Sequence, residues 1–259
     1  QTGILAGFEE FKRIAKINLI TGVVAFPIQI CFTYFFGLKG ALIGYGANFI
    51  VLWILNIYSV RKVAKHNDVK IYYVAALSVW KLLIKFSLPA LMSGILVTPV
   101  IWYCNTLLVN QENGYDQMAI FDAANQWMAI IMFIPAAVSQ VTLPILSKYS
   151  HESSKFNKVF KVNLVLNIGI TAFVAIIISI VSPMIMNLYG KDFTVGSTVL
   201  MLLAIASIFI SANNIIGKVI ASKSKMWVGF FLNLLWAIVH ITTAHYFINI
   251  GMGAHGLAL

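Results

Sequence analysis

The chain is 259 residues long, 60% hydrophobic and only 10% charged, with a mean hydropathy of +0.89. Soluble domains carry about 25% charged residues, and 18 basic plus 8 acidic side chains cannot clothe a soluble globule of this size, which excludes a soluble enzyme, a disordered chain and a soluble nucleic-acid-binding domain. The formal charge is +10, so the position of the excess base is what matters next.

In chain order, the first feature is Phe8-Glu9-Glu10-Phe11-Lys12-Arg13-Ile14-Ala15-Lys16, which mixes charge and bulk at helical spacing, as helices lying along the headgroup layer do. Nearly uncharged runs at 17–36 and 40–60 are long enough to cross a bilayer. Residues 61–86 read as the longest cytoplasmic connection and end in a second amphipathic stretch, Val79-Trp80-Lys81-Leu82-Leu83-Ile84-Lys85-Phe86. Further spans follow at 87–109, 118–147, 162–188, 196–217 and 227–249, and another begins near 251. The runs are continuously apolar, which selects helices over the alternating strands of a barrel. The expectation is an all-α integral membrane protein with seven complete transmembrane helices and the start of an eighth. Because Gln1 is not an initiator and residues 251–259 open a new span, the sequence reads as an internal piece of a longer protein. Cys31 and Cys104 both fall in apolar runs and read as small buried hydrophobes, with no disulfide framework.

The connections at 37–39, 110–117, 189–195 and 250 hold two of the 18 basic residues, Lys39 and Lys191, and the others lie at the opposite ends of the spans. The positive-inside rule puts those opposite ends in the cytoplasm. The excess charge is therefore a topology signal spread over short loops, and nucleic acid is not its partner.

Shifting the chain by 215 residues sets Ile4-Leu5-Ala6 on Val219-Ile220-Ala221 and Ile17-Asn18-Leu19 on Leu232-Asn233-Leu234. After short gaps, Tyr34-Phe35 meets Tyr246-Phe247 and Gly40-Ala41 meets Gly253-Ala254. Parallel repeats of this kind recur in secondary transporters. They predict a two-lobed parent of two six-helix halves: 1–60 as the last two helices of the N-terminal lobe, 61–86 as the inter-lobe linker, and 87–259 as the C-terminal lobe, cut in its last helix.

Catalytic motifs are absent: there is no His-Glu-x-x-His, no phosphate loop, no nucleophile elbow and no clustered Cys/His set. The outer loops are also too short for a membrane glycosyltransferase or polymerase. The informative residues are polar groups inside spans, where charge is costly. Asp122, Asn125 and Gln126 are spaced three and four apart on one helical face, farther along which come Ser139 and Gln140. A polar face with one carboxylate suits a water-filled cavity that binds sugar hydroxyls or takes up a coupling cation; the alternative is solvation near the outer surface. Trp102, Asn105 and Thr106 share another face, suited either to a sugar or to an interfacial aromatic belt with an interhelical hydrogen bond. Asn213, Asn214 and Lys218 form a third stripe, with Lys218 either meeting a diphosphate headgroup or snorkelling to the interface. His240 and His245 read as interhelical hydrogen-bond partners, and Pro135 as a hinge candidate.

The run Phe86-Ser87-Leu88-Pro89-Ala90-Leu91-Met92-Ser93-Gly94, with Ala124-Asn125-Gln126-Trp127, Phe133-Ile134-Pro135 and Leu143-Pro144-Ile145-Leu146-Ser147, resembles the polysaccharide-transport family: Wzx-type O-antigen and exopolysaccharide flippases, in the superfamily that also holds MATE exporters and the lipid II flippase. The resemblance implies a two-lobed inner-membrane protein of twelve to fourteen helices that is not an enzyme. It would flip a polyprenyl-diphosphate-linked oligosaccharide by alternating access, without a cofactor or a bound metal, and any coupling ion would be H+ or Na+. Its implied partners are the lipid-linked oligosaccharide, membrane lipids, and a polysaccharide polymerase with its chain-length regulator. A diphosphate cargo asks for inward cations, and here only Lys218 reaches inward, so either the preceding helices supply them or the cargo differs. The competing branch is a MATE-like cation-coupled exporter of small amphiphiles, with Asp122 as its ion site.

Overall fold

A computed structural model describes residues 1–69 and 80–259; residues 70–79, the middle of the predicted linker and the start of its amphipathic stretch, lie outside the described residues. No strand occurs among the described residues, and six helices are long and apolar enough to cross a membrane. The chain divides into two compact units, Gln1–Leu77 and Ser78–Leu259.

In the first unit, α1 (Thr2–Gly7) precedes α2 (Phe11–His66), a 56-residue element. A straight helix of that length would run about 84 Å, against a hydrocarbon core of about 30 Å. It is not straight. Gly37 sits at φ +57°, ψ −136°, a conformation open essentially to glycine alone. A Cβ built on Gly44 would stand 3.0 Å from the Cα of Gln29, fifteen positions earlier, and one on Gly40 would fall onto the Phe32 carbonyl. The two arms therefore fold back on each other, and glycine lets them approach closely. At the far end, fully buried Leu5 packs with Ile14, Ile17 and Val63 in one cluster. The runs 17–36 and 40–60, expected as separate spans, are thus the arms of one helical hairpin that turns on a single residue.

The second unit begins with α3 (Trp80–Leu82), a π-helical turn (Leu83–Ser87) and α4 (Leu88–Val109). Pro89 has no N–H and its ring crowds the Lys85 carbonyl, so the turn before it widens, and the Leu88 N–H bonds back to Leu83. Then come α5 (Gly114–Ser139), α6 (Thr142–Lys148), α7 (Ser153–Tyr189), a 3₁₀ turn (Lys191–Gly196), α8 (Ser197–Ser222), α9 (Met226–Asn249) and α10 (Gly253–Ala258). Among the described residues, neither amphipathic stretch forms a separate helix of its own. Phe8–Glu10 is a turn with Glu9 at φ +59°, after which residues 11–16 run straight into the first arm, and Trp80 onward runs into α4.

The main buried cluster mixes alanines (Ala123, Ala124, Ala175, Ala204) with Ile131, Met186, Leu200 and Leu203, while Phe26, Trp53, Phe173 and Phe209 stand exposed. Apolar bulk outside with small residues at the seams is how helices pack in lipid. Cys104 is buried, whereas Cys31 lies on an exposed face, against the expectation for it. Contacts in the second unit also join like ends. Ser139 meets Asn167, Asn233 meets Ser93, and Lys223 covers the Phe156 ring, all at the base-rich ends. Gln117 meets Ala254, Thr198 meets His255, and Trp127 meets Tyr189 at the base-poor ends.

Candidate functional site

The predicted fourth span, 118–147, lies within one membrane-length segment, Gly114–Lys148, that a turn divides into α5 and α6. Pro135 lies buried within an uninterrupted α5, and the break falls at Gln140–Val141 instead. Its cause is Pro144, whose ring crowds the carbonyl four residues back, at Gln140, and offers it no donor. The discontinuity thus belongs to Pro144, not to the hinge candidate Pro135.

A helix end inside a membrane leaves carbonyls that need donors. Lys218 of α8 supplies one: its Nζ donates to the Ser139 carbonyl. A cation at a helix C-terminus also meets the negative end of the helix dipole. The Ser139 hydroxyl donates to Asn167 Oδ1 at 2.9 Å, and the Thr142 hydroxyl donates to Asn163 Oδ1 at 2.8 Å. Asn167 Nδ2 donates to the Asn163 carbonyl at 2.9 Å, and Thr171 Oγ1 to the Asn167 carbonyl at 2.6 Å. Asn163, Asn167 and Thr171 stand four apart, so α7 presents a polar ladder to the α5–α6 break. Sequence reasoning missed this ladder, although Asn-x-x-x-Asn-x-x-x-Thr in an apolar run is a visible signal.

Beside the seam lies a cavity of 270 Å³ lined by Ser93, Asn213, Asn214, Lys218 and Asn233 among others. Asn233 Nδ2 donates to Ser93 Oγ at 2.5 Å. The side chains of Asn213 and Asn214 are exposed and make no hydrogen bond among the described residues. The amides and the ammonium give this cavity donors for sugar hydroxyls or a phosphate.

Asp122, Asn125 and Gln126 are exposed on one face of α5, opposite its buried Ala123 and Ala124, and their side chains have no partner among the described residues. They are not part of the seam. Seventeen residues of helix separate Asp122 from Ser139, about 25 Å along the axis. Trp102 is 67% exposed. Asn105 and Thr106 are half-buried, and the Thr106 hydroxyl is spent on its own helix, donating to the Trp102 carbonyl at 2.8 Å. His240 stacks on Trp236 with centroids 5.2 Å apart, and His245 bonds Asn249 at 3.0 Å; both contacts stay inside α9, so neither is the expected interhelical bond. Among the described residues no group of His, Cys, Asp and Glu is arranged to hold a metal ion.

Long apolar helices joined through small-residue and amide seams define a multi-pass helical membrane protein. Residues 3–166 match the family described as polysaccharide biosynthesis protein, and the chain belongs to that family. It is 23% identical over 186 residues to the EPS I polysaccharide export inner membrane protein EpsE of Ralstonia solanacearum, and 24% identical over 186 residues to the protein of that name from Ralstonia nicotianae. These alignments cover 69% of this chain and 42% of each relative, so the chain spans about two fifths of the curated relatives it matches. No solved structure matches it. The protein is a multi-pass inner-membrane protein.

Proposed function

We propose that the protein exports a cell-surface polysaccharide precursor, flipping a polyprenyl-diphosphate-linked oligosaccharide unit across the inner membrane by alternating access. The match of residues 3–166 to the polysaccharide biosynthesis family carries this reading. Relatives named for polysaccharide export support a transporter and not an enzyme.

In this reading the two arms of α2 each cross the bilayer, which with the five later long helices makes seven crossings, and α10 begins an eighth. Residues 1–60 close the N-terminal lobe and 87–259 form most of the C-terminal lobe; a boundary between compact units inside 61–86 supports that division. Polar groups stand at two levels, the Lys218 cavity between α4, α8 and α9 at the base-rich end and Asp122 on α5 near the other. The lower level meets the diphosphate and first sugars, the upper the departing glycan or a coupling H+ or Na+. The break at Gln140–Val141 gives α5 a joint on which the lower level re-forms.

The test is deletion of the full-length gene with complementation. Surface polysaccharide disappears and returns with the wild-type gene; normal surface polymer in the deletion strain overturns the reading. Unchanged polymer with raised accumulation of amphiphilic drugs in the D122N strain would favour a MATE-like exporter instead.

A further inference from the structure

At the base-rich end of the α2 hairpin, the two arms enclose an open groove of 460 Å³. Lys12, Arg13 and Lys16 come from the start of one arm, and Lys62, Tyr58 and Ser59 from the end of the other. Forty-six residues of sequence separate Lys16 from Lys62, and the reversal at Gly37 brings them to one mouth. Glu10 is the one acid in the lining, and it is taken up by Arg13 at 3.3 Å. Lys12, Lys16 and Lys62 are exposed and have no anionic partner among the described residues. Below them the lining turns apolar with Ile17, Ile20 and Leu55. Ser59 lines the groove beside Tyr58, and its hydroxyl makes no hydrogen bond among the described residues.

The order of these groups is that of a phospholipid standing in a leaflet: cations and hydroxyls at headgroup level, hydrocarbon beneath. Basic pockets between helices on the cytoplasmic side are suited to anionic headgroups. We infer that this groove is a binding site for the phosphodiester headgroup of an anionic glycerophospholipid of the phosphatidylglycerol type, independent of the transport cavity. Three uncompensated ammonium groups match the phosphate, and the Tyr58 and Ser59 hydroxyls match the headgroup glycerol. The groove opens at its mouth through exposed Tyr58 and the three lysines, so it samples the headgroup layer directly. By mass action such a site fills with the abundant anion of the leaflet and not with a scarce polyprenyl diphosphate.

The experiment is native mass spectrometry of the purified full chain released from micelles containing equal phosphatidylglycerol and phosphatidylcholine, with a second set to which equimolar undecaprenyl diphosphate is added. The wild type retains phosphatidylglycerol over phosphatidylcholine. The K16Q/K62Q pair loses that retention by about 30-fold, near fivefold per lysine, whereas K158Q/K161Q on α7 removes equal charge elsewhere and leaves it unchanged. Equal loss in both pairs, or no preference over phosphatidylcholine, overturns the site. Displacement of phosphatidylglycerol by an equimolar polyprenyl diphosphate overturns the choice of ligand. All four lysines are exposed, so the variants fold, and elution as a single monodisperse species confirms it.

Discussion

Coupling between Ser139 and Asn167 offers the sharpest test of the polar seam. Asn167 is 1% exposed; its Oδ1 accepts from Ser139 at 2.9 Å and its Nδ2 donates to the Asn163 carbonyl at 2.9 Å. S139A removes one donor and leaves an Asn oxygen unpaired, N167A does the converse and adds a small void, and the double variant removes both. Interhelical hydrogen bonds in membrane proteins couple by about 0.6 kcal/mol on average and up to about 1.7. The Ser139 carbonyl also holds Lys218, so displacement of the Ser139 backbone would strain a second bond, and the coupling belongs in the upper half of that range, about 1–1.7 kcal/mol. The assay is reversible unfolding in mixed micelles for the wild type, both single variants and the double, with the coupling taken as the departure from additivity. T171A serves as the internal comparison, because the Thr171 hydroxyl bonds within its own helix and crosses no interface. A coupling within about 0.5 kcal/mol of zero, the scatter of independent sites, would refute the idea that this pair ties α7 to the break.

Three further outcomes follow from the geometry. Gly37→Ala forces an alanine into a glycine-only conformation at about 1–3 kcal/mol, and Gly40→Val drives a Cβ into the Phe32 carbonyl, so both lower the yield of protease-resistant protein; Gly46→Ala, with open space around it, leaves the yield unchanged, and equal yields for all three contradict the hairpin. Pro144→Ala returns a donor to the Gln140 carbonyl, so folded protein accumulates normally while surface-polymer complementation falls; full complementation removes the joint from the transport cycle. Asp122→Asn alters an exposed, unpartnered side chain, so thermal stability stays within about 0.5 kcal/mol while complementation drops at least tenfold, on the order expected for loss of an ion or sugar contact; wild-type complementation would retire Asp122 from the cavity.

The long helices were legible because hydrocarbon demands unbroken apolar runs and nothing else in the sequence competes with that signal. The charge alternation was legible for the same reason, and the helix contacts join the ends it grouped together. Where helices stop was not. Hydropathy scores Gln140 and Val141 as part of one run, and only the carbonyl bookkeeping around Pro144 locates the break. Pro135 drew attention as a proline within a predicted span, yet a buried proline within a supported helix need not end it. Lys218 was picked out from its charge, but its commitment to the Ser139 carbonyl depends on a helix end that the sequence did not reveal. The groove on α2 was invisible because Lys16 and Lys62 become neighbours only after the reversal at Gly37.

The proposed carriage of a lipid-linked glycan from one leaflet to the other is tested most directly by the sidedness of that glycan. In right-side-out membranes from the wild type, an impermeant glycosidase cleaves the lipid-linked unit. In membranes from the deletion strain the unit accumulates and resists cleavage until the membranes are opened. Accessible lipid-linked glycan in intact deletion membranes, at the wild-type level, contradicts the claim.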